Sequence, residues 1–166
     1  MIRSILYATD LGLYAPYVLQ HALALTRAFN AGLYVVHAVE PMGLFAESVL
    51  QTYLDEERLK ELRSKGLSSV MASIEQRVLE GFRDELGEFQ HELELIRAVQ
   101  VVQGDPPLVI LEEAQKRGVD MLVVGSHSHG AGLDIPLGRT AARLMQLSEV
   151  PVYLVPMLQH RARGEA

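Results

Sequence analysis

The chain has 166 residues, of which 49% are apolar, which suits one domain with a sizeable core and leaves little room for a second. Fifteen Lys and Arg stand against 21 Asp and Glu, a net charge of −6 that opposes sequence-blind binding to nucleic acid or anionic membranes. There is no cysteine, so disulfides, thiolate metal sites and thiol nucleophiles are excluded. No apolar run approaches the roughly 18 residues of a membrane span, and the expectation is a soluble cytoplasmic protein.

Ile2 to Ala8 is a short apolar, β-branched run ending at Thr9-Asp10, the pattern of a strand buried on both faces. Pro16 suits the first turn of a following helix, with Val18, Ala22, Leu25 and Phe29 as its apolar stripe and Asn30-Ala31-Gly32 as its end. Leu33 to Val39 reads as a second strand. Between it and the next, Ala46 to Leu86 predicts a long helical segment through Val49, Tyr53, Leu59, Leu62, Val70, Ile74, Val78 and Phe82, with Gly66 and Gly81 as candidate interruptions. Its charge run, Asp55 to Glu61, reads as a solvated helix face.

Ile96 to Val102, Met121 to Val124 and Val152 to Val155 predict three more strands, with Pro151 tolerable only at the start or edge of the last. A helix from Pro106 or Pro107 to about Lys116, closed by Gly118, and another from Gly138 to Gln146 separate them. Strands alternating with helices give one doubly wound α/β domain with a parallel sheet, assigned to residues 1–156. Residues 157–166 are expected to form a loose tail.

Ligands in such folds sit beyond the carboxyl ends of the strands. Three loops fall there: Ala8-Thr9-Asp10, Ala38-Val39-Glu40, and the segment from Gly125 through Ser126, His127, Ser128, His129 and Gly130 to Gly138-Arg139-Thr140. The last is rich in Gly and Ser and ends at a helix N-terminus, where backbone N–H groups favour an anion. There is no GxxxxGK[ST] and no GxGxxG after the first strand. Asp10 alone reads as a turn or cap residue. His127 and His129, with Asp134, form too small a ligand set for a metal site, and His37 is expected inside the sheet bonded to backbone. His21 and His91 suggest no site. Ser126 and His127 lack an orienting acid, so nucleophilic catalysis is not expected.

The runs Ile5-Leu6-Tyr7-Ala8-Thr9-Asp10, Val35-Val36-His37-Ala38-Val39, Val102-Gln103-Gly104-Asp105-Pro106, Val123-Val124-Gly125-Ser126-His127, Leu137-Gly138 and Glu149-Val150-Pro151-Val152-Tyr153-Leu154-Val155-Pro156 occur in an order that resembles the universal stress protein family. The resemblance implies a five-stranded parallel sheet of order 3-2-1-4-5, a cytoplasmic location, and a homodimer formed through the fifth strand. Many members bind ATP through Gly, two residues, Gly, nine residues, Gly and then Ser or Thr. Gly125 and Gly138 match at the right spacing, whereas Ser128 replaces the middle glycine and Arg139 the hydroxyl residue, with Thr140 one place later.

The resemblance therefore implies an adenine-nucleotide sensor or regulator, its ATP accompanied by Mg²⁺ held through phosphate oxygens and water. Ala8, Thr9, Asp10 and Ala38 would hold the adenosine end. Gly125, Ser126, His127 and Ser128 would wrap the phosphates, with Gly138, Arg139 and Thr140 presenting donors. Hydrolysis is expected to be slow and incidental at most. The alternative is a non-nucleotide-binding stress protein acting as a dimeric protein-interaction module, and a small-molecule enzyme of the same architecture ranks last.

Overall fold

The structure, a computed structural model, describes residues 1–12, 14–40, 48–49, 52–61, 67–127 and 137–157. The elements run β1 (Ser4–Ala8), α1 (Ala15–Phe29), β2 (Gly32–Val39), α2 (Glu56–Glu61), α3 (Leu67–Leu86), a 3₁₀-helix (Gly87–Leu95), β3 (Ile96–Gln103), α4 (Pro106–Arg117), β4 (Met121–Gly125), α5 (Arg139–Leu147) and β5 (Val152–Val155). All strand pairs are parallel, in the order β3-β2-β1-β4-β5. The sheet order implied by the resemblance is the one found.

Side-chain alternation divides the core into two layers. Ile5, Tyr7, Leu33, Val35 and Val123 meet α1 and α3 through Val18, Leu19, Leu23, Val78 and Phe82. Leu6, Val36, Leu122 and Val124 meet α4 and α5 through Val109, Ile110, Ala114 and Leu144. Burying each Leu, Ile or Val of these layers contributes about 1.5–3 kcal/mol, which fixes strand register because a one-residue slip would exchange the two faces. β1 connects through α1 to β2 on one side, and β4 through α5 to β5 on the other. The carboxyl ends of β1 and β4 therefore bound the crevice at which strand order reverses.

Several boundaries differ from expectation. Phe29 is exposed at 43%, and the buried face of α1 consists of Ala15, Val18, Leu19, Ala22, Leu23 and Thr26. At about 100° per residue Phe29 lies only about 20° from Val18 around the helix, so angle does not account for its exposure; it is the last residue of α1, beyond the buried stretch that ends at Thr26. The helical segment predicted over 46–86, with its candidate interruptions, contains α2 and α3 as separate helices: Tyr53 is 82% exposed, and Asp55 Oδ1 accepts the Arg58 N–H at 2.8 Å to start α2. Gly81 does not interrupt α3, whereas Gly87, at φ +46°, ends it. Gly66, and the side chains of Leu59, Leu62, Val70 and Ile74, lie outside the described residues, as does the tail 158–166. Met157, placed by the sequence in that tail, is tied down by its N–H, which donates to Ser126 Oγ at 2.8 Å.

Candidate functional site

Beyond the carboxyl ends of β1 and β4 lies a cavity of about 260 Å³. The loop after β1 lines it with Ala8, Thr9 and Asp10, the end of β2 with His37, Ala38 and Glu40, and the end of β4 with Gly125, Ser126 and His127. Gly138, Arg139 and Thr140 at the start of α5 close it. Of the expected site residues, Ser128 lies outside the described residues and every other one lines this cavity. His129 and Asp134 also lie outside them, and among the described residues no three His, Asp or Glu are grouped to hold a metal ion.

Local hydrogen bonds build each wall. After β1, Thr9 Oγ1 accepts the N–H of Leu11 at 3.1 Å and Asp10 Oδ1 accepts that of Gly12 at 2.8 Å. Together they hold Leu11 at φ +58°, a left-handed conformation that costs a non-glycine residue about 1–2 kcal/mol. A Cβ on Gly12 would stand 3.0 Å from Asp10 Oδ1, so glycine leaves room for that carboxylate. Asp10 thus shapes its turn, as its residue chemistry suggests, and still borders the cavity.

Below this turn the buried Tyr7 hydroxyl donates to the Ala15 carbonyl at 3.0 Å. Burial pushes the Tyr7 phenol far above its ordinary range, the Thr9 hydroxyl opposing and the Asp10 charge adding to the rise, so it remains a neutral donor. His37 Nδ1 lies 2.8 Å from the Thr9 carbonyl. A carbonyl only accepts, so Nδ1 carries the proton, in line with the expected backbone-bonded histidine.

The end of β2 turns a peptide edge toward the β1 side. The Val36 carbonyl accepts Thr9 N–H on the β1 side and the Val39 carbonyl accepts Gly104 N–H on the β3 side, both at 2.9 Å. Peptide groups alternate sides along a strand, so both polar groups of Ala38 face the β1 side, where β1 has already ended. Among the described residues no backbone hydrogen bond joins Ala38 to the loop after β1.

On the opposite wall Ser126 is fully engaged. Its N–H donates to Val155 O and its carbonyl accepts Gly138 N–H, both at 2.8 Å. Its hydroxyl oxygen accepts Met157 N–H at 2.8 Å and lies 2.8 Å from His127 Nδ1, a hydrogen bond whose direction follows the imidazole's tautomer. Ser126 is 5% exposed, and these bonds tie the end of β4 to β5 and to the start of α5. Gly138 is extended, at φ −64° and ψ 153°, the first turn of α5 carries no acidic residue and no side-chain cap, and Gly138, Arg139 and Thr140 line the cavity.

The apolar wall was only partly legible. Pro106 and Ile110 line the cavity from the first turns of α4, and Tyr14, Ala15 and Val18 from α1. The i, i+4 spacing of Pro106 and Ile110 is a signal for the first pair. Nothing in the sequence singles out Tyr14.

A family model described as the universal stress protein family matches residues 1–156. The chain belongs to the universal stress protein family. It is 27% identical over 161 residues to universal stress protein YxiE of Bacillus subtilis, covering 93% of this chain and 99% of that one. It is 25% identical over 139 residues to universal stress protein A homolog 2 of Coxiella burnetii, covering 83% of each. Among solved structures, protein MJ0577 matches with a TM-score of 0.69 at 24% identity, over 96% of this chain and 99% of that one. A universal stress protein solved in complex with cAMP matches with a TM-score of 0.55 at 17% identity, over 93% and 97% respectively. These likenesses carry the universal stress protein fold across nearly the whole chain.

Proposed function

We propose that this universal stress protein binds an adenine nucleotide, ATP foremost, in the cavity between β1 and β4, and acts as a homodimeric sensor or regulator paired through β5. The observation that carries the reading is the polarity of the cavity. Asp10, Glu40 and the peptide edge of Ala38 that faces β1 belong to the β1–β2 side, while Gly138, Arg139 and Thr140 at the start of α5 belong to the β4 side. A nucleotide has the matching polarity, a hydrogen-bonding base and ribose at one end and an anion at the other.

Ala8, Ala38 and Ile110 offer a flat apolar slot for the base, and Asp10 an acceptor for ribose hydroxyls. At about 260 Å³ the cavity suits a nucleoside-sized group, with the phosphates extending to the mouth beside Arg139. Mg²⁺ would be held there by phosphate oxygens and water. The reading assigns binding rather than turnover, with any hydrolysis slow and incidental. The complex of another family member with cAMP supports an adenine nucleotide as the ligand class.

Calorimetric titration of ATP with Mg²⁺ into protein stripped of nucleotide tests the reading. Micromolar affinity that is lost in Asp10→Ala and Gly138→Leu is the expected result. Absence of heat and of any thermal shift in the wild type would overturn it and favour the protein-interaction module instead.

A further inference from the structure

We propose that Glu40 reads the base, selecting one with an exocyclic amine over one with a carbonyl oxygen at the same position. This inference rests on the nucleotide reading above. Glu40 follows Val39, the last residue of β2, two positions beyond Ala38, and it lines the cavity. Ala38 packs in the layer of Tyr34 and Val36, toward α4, which places Ile110 across the slot.

The Ala38 peptide edge presents an N–H first and then, one step toward the C-terminus, a C=O. A base docked on that edge puts its acceptor against the N–H and its amine against the carbonyl, on the Glu40 side. An amine carries two N–H bonds and the Ala38 carbonyl takes one. The other points along the row to the next acceptor, which is the Glu40 carboxylate.

Other groups at this end do not meet the requirement. Asp10 Oδ1 is engaged by the Gly12 N–H, and Asp10 belongs to the β1 turn rather than to the β2 row. The imidazole of His37 turns its Nδ1 proton to Thr9, and its odd position in β2 directs it to the face of α1 and α3. Glu40 is exposed and, among the described residues, makes no ion pair or side-chain hydrogen bond that holds it elsewhere. An ionised carboxylate only accepts hydrogen bonds, so it attracts an amine and repels a carbonyl oxygen at the same point.

ATP and ITP share ribose and triphosphate and differ at this edge, so calorimetric titration of both into the nucleotide-stripped full chain, wild type and Glu40→Gln, is the test. A glutamine amide can donate as well as accept. The preference for ATP over ITP should therefore fall about tenfold in Glu40→Gln, chiefly through tighter ITP binding, with the melting temperature unchanged. Glu40→Ala should lose part of the preference through weaker ATP binding. An unchanged ratio in both variants, with ATP still bound, would overturn the role of Glu40 and leave the nucleotide reading standing. Failure of the wild type to bind either nucleotide would overturn both.

Discussion

The N–H of Gly138 donates to the carbonyl of Ser126 at 2.8 Å, so the start of α5 is held against the end of β4. One backbone bond sets where α5 begins and therefore where Arg139 and Thr140 meet the cavity. Gly138 has φ −64°, a value proline adopts without strain, so Gly138→Pro removes the donor while keeping the dihedral. It should cost about 1–2 kcal/mol by leaving the buried Ser126 carbonyl unpaired. Gly138→Ala, which keeps the N–H, should lose less, and urea unfolding of the two variants checks the difference.

Gly104 connects β3 to α4 at φ +157°, and a Cβ there would stand 2.6 Å from Val109 Cγ2. The close approach lets α4 begin directly after the strand and bring Pro106 and Ile110 over the cavity. Gly104→Ala should destabilise by about 1–3 kcal/mol through overpacking. Adding Val109→Ala removes the obstructing methyl, so the double variant should lose less than the sum of the two single ones, a coupling that thermal unfolding can measure.

These two glycines mark how far the sequence could be read. The strands were legible because continuous β-branched runs have few alternatives in a chain that alternates strand and helix. The site was legible because loops at strand ends converge in a doubly wound fold wherever the sequence places them. Gly104 was visible as punctuation, but its need for a missing side chain arises from Val109, a tertiary neighbour. Between β2 and β3 the apolar spacing indicates helix without marking which part is buried, because spacing alone cannot tell the buried Val78 and Phe82 from the exposed Tyr53. Tyr14 enters the cavity wall only through the docking of α1, and no local pattern announces it.

Asp120 fastens the opposite end of the sheet. Its carboxylate accepts the N–H of Arg3 at 2.8 Å, the N–H of Ser4 at 3.1 Å and the Ser4 hydroxyl at 3.2 Å. The Arg3 amide foremost, then that of Ser4, holds this carboxyl below the usual aspartate range. A folded-state value that is lowered adds stability above the unfolded value, about 4, and that stability disappears as pH falls through the folded one. Asp120→Asn should therefore be less stable than wild type near neutrality, with the gap closing below about pH 4. Urea midpoints measured from pH 3 to 7 give the answer, and a gap independent of pH would contradict the assignment.

Arg139 occupies the first position of α5, where the helix dipole disfavours a cation by about 0.3–1 kcal/mol. No acidic side chain in that turn offsets the cost, and among the described residues Arg139 makes no salt bridge. A residue placed at an energetic disadvantage on a cavity wall is the pattern of a group whose partner is a ligand. With a phosphate at the mouth, the guanidinium gains a charge-assisted, bidentate contact that is screened by salt. Arg139→Ser should then move two measurements in opposite directions. The ligand-free protein should melt slightly higher, by a few tenths of a kcal/mol in stability, because removing the cation relieves its repulsion by the helix dipole. Its affinity for ATP should fall, and the decline of affinity between 50 and 500 mM salt should be shallower than in the wild type, because one screened contact is gone. A variant with lower affinity but the wild-type salt dependence would show that Arg139 acts through the geometry of α5 rather than by meeting the phosphate.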